Sequence, residues 1–154
     1  MAIESRMIKK TLDPLFGKDI GLKDSEPLNT SDKVVIGTYM DGEGNTVGTV
    51  VMDYSCACYT AAALSMMPAD IAEESIKSGD IEDSLRDNLY EVLNIGVSFF
   101  SDGTTPDMRI KEMLVSPGEI PSDVENVLKN AYTDLHVEMD IPGYGSGSSS
   151  LYLV

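Results

Sequence analysis

Basic residues are scarce in this chain. Lys and Arg number 11 against 26 Asp and Glu, so the formal net charge is −15 over 154 residues. Nucleic-acid binding needs a basic patch that neutralises phosphates, so the balance argues strongly against it and also disfavours an anionic membrane surface. Acidic surfaces are common on soluble proteins, and this one leaves room for a basic patch on a protein partner. Cysteine occurs only twice, as Cys56 and Cys58. Cys-x-Cys spacing is poor for a disulfide and two thiols are too few for a zinc site; both lie in an apolar stretch and are expected to be buried structural thiols. The single histidine, His136, has no serine, cysteine or second histidine beside it in a hydrolytic motif, and is expected at the surface. Gly-x-Ser-x-Gly, P-loop and Gly-x-Gly-x-x-Gly motifs are missing, which leaves hydrolase-triad and nucleotide-binding readings without support. No apolar run approaches the ~20 residues of a membrane span. The segment 1–12 carries Lys9 and Lys10 but no apolar core of a secretory signal, so a cytoplasmic location is expected.

What remains is a chain with 42% hydrophobic residues, enough for one globular domain over 1–154. Its nine methionines are scattered at core positions and imply packing. Periodicity predicts a helix over 5–16 with Met7, Ile8, Leu12, Leu15 and Phe16 on one side, then a loop to residue 32. Strands are predicted over 33–40 and 46–53, joined by the hairpin turn Asp41-Gly-Glu-Gly-Asn45, which lacks the spacing of a calcium loop. An Ala-rich helix over 54–67 stops at Pro68, and a short helix over 69–77 ends at Ser78-Gly79. Asp80 is expected to cap a long helix running to about Phe100, with Asp83 three residues on. A loop over 101–106, a strand over 108–115, a helix over 122–131 and a cleanly alternating strand over 133–141 follow. Residues 143–150 read as a flexible Gly/Ser loop leading to a terminal strand over 151–154. The order α-β-β-α-α-α-β-α-β-β argues for an α+β fold with a mostly antiparallel sheet packed with helices.

The long helix carries the candidate site. Placed at 100° per residue, Leu85, Leu89, Val92, Gly96 and Phe99 cluster on one side, widened by Tyr90, Leu93, Val97, Phe100 and Ile95. The polar residues Ser84, Asp87, Glu91, Asn94 and Ser98 fall within an arc of about 80°. Such a strip is what any core helix shows to solvent; no lysine on it makes an i,i+4 pair with Glu91, so its uncompensated acidic charge also suits a docking face.

Asp87-x3-Glu91-x2-Asn94, followed after 22 intervening residues by Pro117, resembles the signature of the CheC/CheX/FliY family of response-regulator phosphatases. The element order is similar too, so the resemblance covers about 33–154. The chain departs from the pattern after Asn94, where Gly96 comes early and Phe99-Phe100 are bulky. The resemblance implies hydrolysis of the aspartyl phosphate of a CheY-like receiver domain. Asn94 would hold the attacking water and Glu91 would pair with the receiver's active-site lysine. Asp87, Ser84, Ser98 and Pro117 would contact the partner. Pro117 reads equally well as a plain strand terminator. No metal or cofactor of its own is implied, since the receiver brings its own Mg²⁺. A second motif copy is absent, because Asp123–Asn130 has the wrong register. One site per chain is similar to CheX, which works as a homodimer, and the terminal strand over 151–154 would offer an edge for pairing. Two other readings stand beside this one. One is a non-catalytic module that holds a response regulator or a flagellar-switch partner. The other is an acidic small-ligand sensor with a buried pocket.

Overall fold

The structure is a computed structural model that describes residues 2–100 and 107–154; the loop expected over 101–106 lies outside the described residues. Helix α1 (Ser5–Phe16) leads to β1 (Gly21–Asp24) and the hairpin β2 (Val34–Met40) and β3 (Thr46–Asp53). Three helices follow: α2 (Tyr54–Leu64), α3 (Ala69–Ser78) and α4 (Asp83–Ile95), the last extended by a 3₁₀ turn (Gly96–Phe99). The chain ends with β4 (Arg109–Val115), α5 (Ser122–Asn130), β5 (Thr133–Ile141) and β6 (Gly145–Leu153). All the strand pairings are antiparallel, in the order β1-β5-β6-β3-β2-β4. The α+β architecture and its element order are those expected from the sequence, with β1 added.

The alternation of β2 sets up two layers. Val35 and Tyr39 point into a core shared with α1, α2 and α4, while Val34 and Ile36 pack on Val51 and Val124 beneath α5. Helix α2 is buried along most of its length, which its Ala and Cys content permits, and Asp53 caps it by accepting from Cys56 N at 2.8 Å. Cys56 and Cys58 are free and buried, as expected. Burial pushes the Cys58 thiol up to about 11 and raises that of Cys56 as well.

Four expectations are corrected. The presumed loop before residue 33 contains β1, whose pairing of Gly21–Asp24 with β5 comes from tertiary contact and not from its own weak strand pattern. The Gly/Ser segment is no loop: it forms most of β6, and only residues 142–144 turn, with Gly143 at φ 85°. Its glycines answer to packing. A Cβ on Gly147 would come within 2.5 Å of Cys56 Cα and 2.7 Å of Ser55 C, and one on Gly145 within 2.6 Å of the Tyr59 ring. Because β6 lies between β5 and β3, it offers no edge for pairing between copies; the outer strands are β1 and β4. Finally, α2 stops at Leu64, and α4 starts at Asp83, behind Glu82 and not Asp80, and ends at Ile95.

One hydrogen bond ties α4 to the sheet. The fully buried Tyr39 hydroxyl donates to the Leu93 carbonyl at 2.5 Å, and burial holds that phenol well above its ordinary range, so it stays a donor. Tyr39→Phe leaves the carbonyl without this partner. The expected loss is about 1–2 kcal/mol, read as a lower denaturant midpoint at unchanged slope.

Candidate functional site

Helix α4 is built to show one face. Leu85, Leu89, Val92 and Leu93 are fully buried, and Ser84, Asp87, Glu91, Asn94 and Ser98 are all exposed. Four of these five side chains lie on the regular helix, where Ser84 to Asn94 form a ridge about 15 Å long. Glu91 and Asn94 are one turn apart, roughly 5–6 Å at Cβ. A carboxylate and a carboxamide are thus delivered side by side on a single protruding surface.

The ridge is held rigidly from behind. Gly37 of β2 has no side chain where Leu93 presses; a Cβ there would meet Leu93 Cδ2 at 2.9 Å. Gly96 lies close against Tyr39 and Phe99. On one flank, Asn88 Nδ2 donates to Ala61 O at 3.0 Å and Ser65 Oγ at 2.7 Å, joining α4 to the turn after α2. At the start of the helix, Ser75 Oγ accepts from Glu82 N at 3.2 Å and Ser84 Oγ donates to Glu82 Oε1 at 2.8 Å.

The remaining predicted positions sort as follows. Ser98 is exposed but sits in the 3₁₀ turn, whose three residues per turn set it over Ile95 and off the line of the other four. Phe99 and Phe100 point inward, 0% and 2% exposed, with Phe100 edge-on to Tyr39 at 5.2 Å, so their bulk does not stand on the docking face. Pro117 follows the end of β4 and is half-buried; the preceding Ser116 donates from its backbone N to Val34 O at 2.8 Å and shares a hydrogen bond with the Tyr54 hydroxyl. The β2–β4 register, with Val35 opposite Val115, places Pro117 just beyond the start of β2.

His136 is a correction. Its side chain is only 15% exposed and lies between Asp134 Oδ2, 2.9 Å from Nε2, and Ser150 Oγ, 2.8 Å from Nδ1. The misread β6 explains the error, since Ser150 pairs directly opposite His136. The Asp–His–Ser order has no hydrolytic geometry: Ser150 is fully buried and its oxygen accepts from Leu28 N at 3.1 Å. An open groove of about 350 Å³ lies along β1 and β5, lined by Leu22, Lys23, Glu138, Asp140 and Ser146, away from every stripe residue.

Two residues beside the ridge were missed. Tyr90, assigned to the apolar flank, is 40% exposed; its place three residues after Asp87 and four before Asn94 was the available signal. Met66, assigned to the interior of a longer helix, is 83% exposed in the turn after α2.

No protein-family model matches the sequence, and neither does any curated protein sequence. Solved structures match it by fold. The architecture defines the class: it is the fold shared by CheX, FliY and the FliM middle domain. Among them, the CheX–CheY–BeF3–Mg²⁺ complex from Borrelia burgdorferi matches at 17% identity and TM-score 0.57, covering 96% of this chain and 92% of that one. The FliM middle domain from V. alginolyticus matches at 9% identity and TM-score 0.60, covering 97% and 88%. Thermotoga maritima FliY matches at 16% and 0.53, covering 94% and 81%. None of the helices formed by the described residues is long and apolar enough to cross a membrane.

Proposed function

We propose that this chain is a CheX-like phosphatase of a phosphorylated CheY-type receiver domain. The observation that carries the reading is the exposed Asp87–Glu91–Asn94 ridge on a helix whose opposite face, Leu85, Leu89, Val92 and Leu93, is buried. A receiver aspartyl phosphate already has its own Mg²⁺ and lysine, so placing the water is the main missing contribution. Asn94 orients that water in line with the phosphorus–aspartate bond, because a neutral carboxamide both accepts and donates. Water attacks phosphorus, the bond to the aspartyl oxygen breaks, and the aspartate leaves as a carboxylate. Glu91 pairs with the receiver lysine and fixes the register of docking. Asp87 and Ser84 extend the contact along the ridge, Ser98 meets the partner from the 3₁₀ turn off its line, and Pro117 contacts it from the end of β4. The likeness in fold to the CheX of a CheX–CheY complex supports this reading.

The same resemblance implies a homodimer. With β6 interior, we place the pairing at β4, the longer outer strand, seven residues against four in β1. A monomeric mass at micromolar concentration would overturn it.

A second reading, binding without hydrolysis, has the fold likeness to a FliM middle domain behind it. The deciding measurement is the lifetime of the phosphorylated receiver with and without the chain. A shortened lifetime supports the phosphatase. Binding with an unchanged lifetime selects the second reading, and no binding removes both.

A further inference from the structure

We propose that Met66, with Tyr90 on the opposite flank of the ridge, is a docking contact that adds an apolar grip to the acidic stripe. The inference rests on the reading of α4 as the receiver-docking helix, and it concerns what that receiver surface must carry. The argument begins with how helices end in this chain. Helices α1 and α3 both end on a glycine in the left-handed region, Gly17 at φ 65° and Gly79 at φ 76°. Helix α2 ends in the same way, with Met67 N bonded to Ala62 O at 2.9 Å and Met66 N to Ala63 O at 3.3 Å, which is the double hydrogen bond of a Schellman motif. Yet the left-handed position there is Met66, at φ 55°. A residue with a Cβ is strained in that conformation and glycine is not.

Packing does not account for the methionine. Its side chain is 83% exposed, the highest value among the four large hydrophobics exposed in the described residues. The neighbouring Met67 packs against the core instead. A flexible apolar side chain is therefore held outward in a conformation that disfavours it. The turn that carries it is fixed to α4 through Asn88, which bonds Ala61 O and Ser65 Oγ and reaches Met67 Sδ at 3.7 Å. Asn88 lies three residues before Glu91, so Met66 stands on the Glu91 side of the ridge. Tyr90 stands on the other side, adjacent to Asp87 and Asn94.

Two apolar groups flanking a carboxylate fit a protein surface on which a cation is recessed between aliphatic side chains. We infer that the phosphorylated receiver presents such a rim around the lysine that Glu91 meets, and that methionine is suited to it because its unbranched thioether adapts to irregular surfaces. An isolated exposed methionine elsewhere would need no explanation. This one is singled out by its left-handed backbone, its exposure and the attachment of its turn to α4 through Asn88.

The test separates stability from docking. Met66→Gly relieves the backbone and removes the side chain, so the melting temperature is expected to rise by about 2–4 °C, while affinity for the beryllofluoride-loaded receiver falls about tenfold. In the phosphatase assay the loss appears in KM with kcat unchanged. Met66→Leu, near in volume, is expected to stay within about threefold of wild type. Tyr132→Ser, at an exposed aromatic outside α2 and α4, is expected to leave binding unchanged. Wild-type affinity in Met66→Gly overturns the inference and leaves the proposed function standing, as does an equal loss in Tyr132→Ser. A wild-type chain that binds no receiver at all overturns both.

Discussion

Asn94→Ala is expected to lower receiver dephosphorylation by roughly 100-fold or more, to the rate at which the receiver loses its phosphate unaided. The size follows from the role: removing one preorganised polar group that acts on the reacting atoms commonly lowers the rate 10²–10³-fold. The change should fall on kcat, because orienting a water stabilises the transition state without strengthening docking. Glu91→Ala should instead raise KM, since its carboxylate meets the partner's cation away from the reacting bond. Neither variant is expected to disturb the fold. Both side chains are exposed on α4, and such surface changes usually lie within about 0.5 kcal/mol. Phosphate release is therefore measured beside thermal melting. Equal release by wild type and Asn94→Ala at equal stability would refute the assignment.

Gly147→Ala carries the largest expected effect on stability. The added methyl would meet backbone, Cys56 Cα at 2.5 Å and Ser55 C at 2.7 Å, and backbone cannot turn aside as the tip of a side chain can. The first turn of α2 would have to lift from β6. Asp53 is bonded to both elements, accepting from Cys56 N at 2.8 Å and from Ser148 N at 3.0 Å, so that displacement would break its bridge as well. Overpacking of this kind costs about 3 kcal/mol, which for a chain of this size lowers the melting temperature by roughly 6–12 °C. Gly118→Ala is the comparison, since a Cβ there meets nothing within 4 Å. Similar melting temperatures for the two variants would sink the packing explanation of the Gly/Ser segment.

The parts of the fold that could be read in advance are those with strong local signals. The β2–β3 hairpin was legible because two apolar runs flank turn residues, and β5 because Leu135, Val137, Met139 and Ile141 alternate with polar neighbours. The exposure of Ser84, Asp87, Glu91 and Asn94 followed from helical period alone. What escaped reading was decided by contacts distant in sequence. β1 exists because β5 has an open side for it. The small residues of β6 look like a linker until α2 is laid across them. His136 reads as exposed because its partner Ser150 lies in a Gly/Ser run with no strand pattern of its own. Ser98 left the line because the helix tightens at Gly96. Met66 was hidden for a related reason: a methionine after an Ala-rich run gives no sign of a left-handed cap.

The position of β6 also has a kinetic side. It is the last strand in the chain, yet it sits in the middle of the sheet and pairs Leu153 with Gly48, about 100 residues earlier. Until that pairing forms, the hairpin strand β3 and the strand β5 each expose an unsatisfied edge. Closure over such a separation is slow compared with helix formation. The species present during that delay would be the ones most prone to associate wrongly. Refolding yield should therefore fall as protein concentration rises, even though, among the described residues, the finished sheet is bordered by β1 and β4.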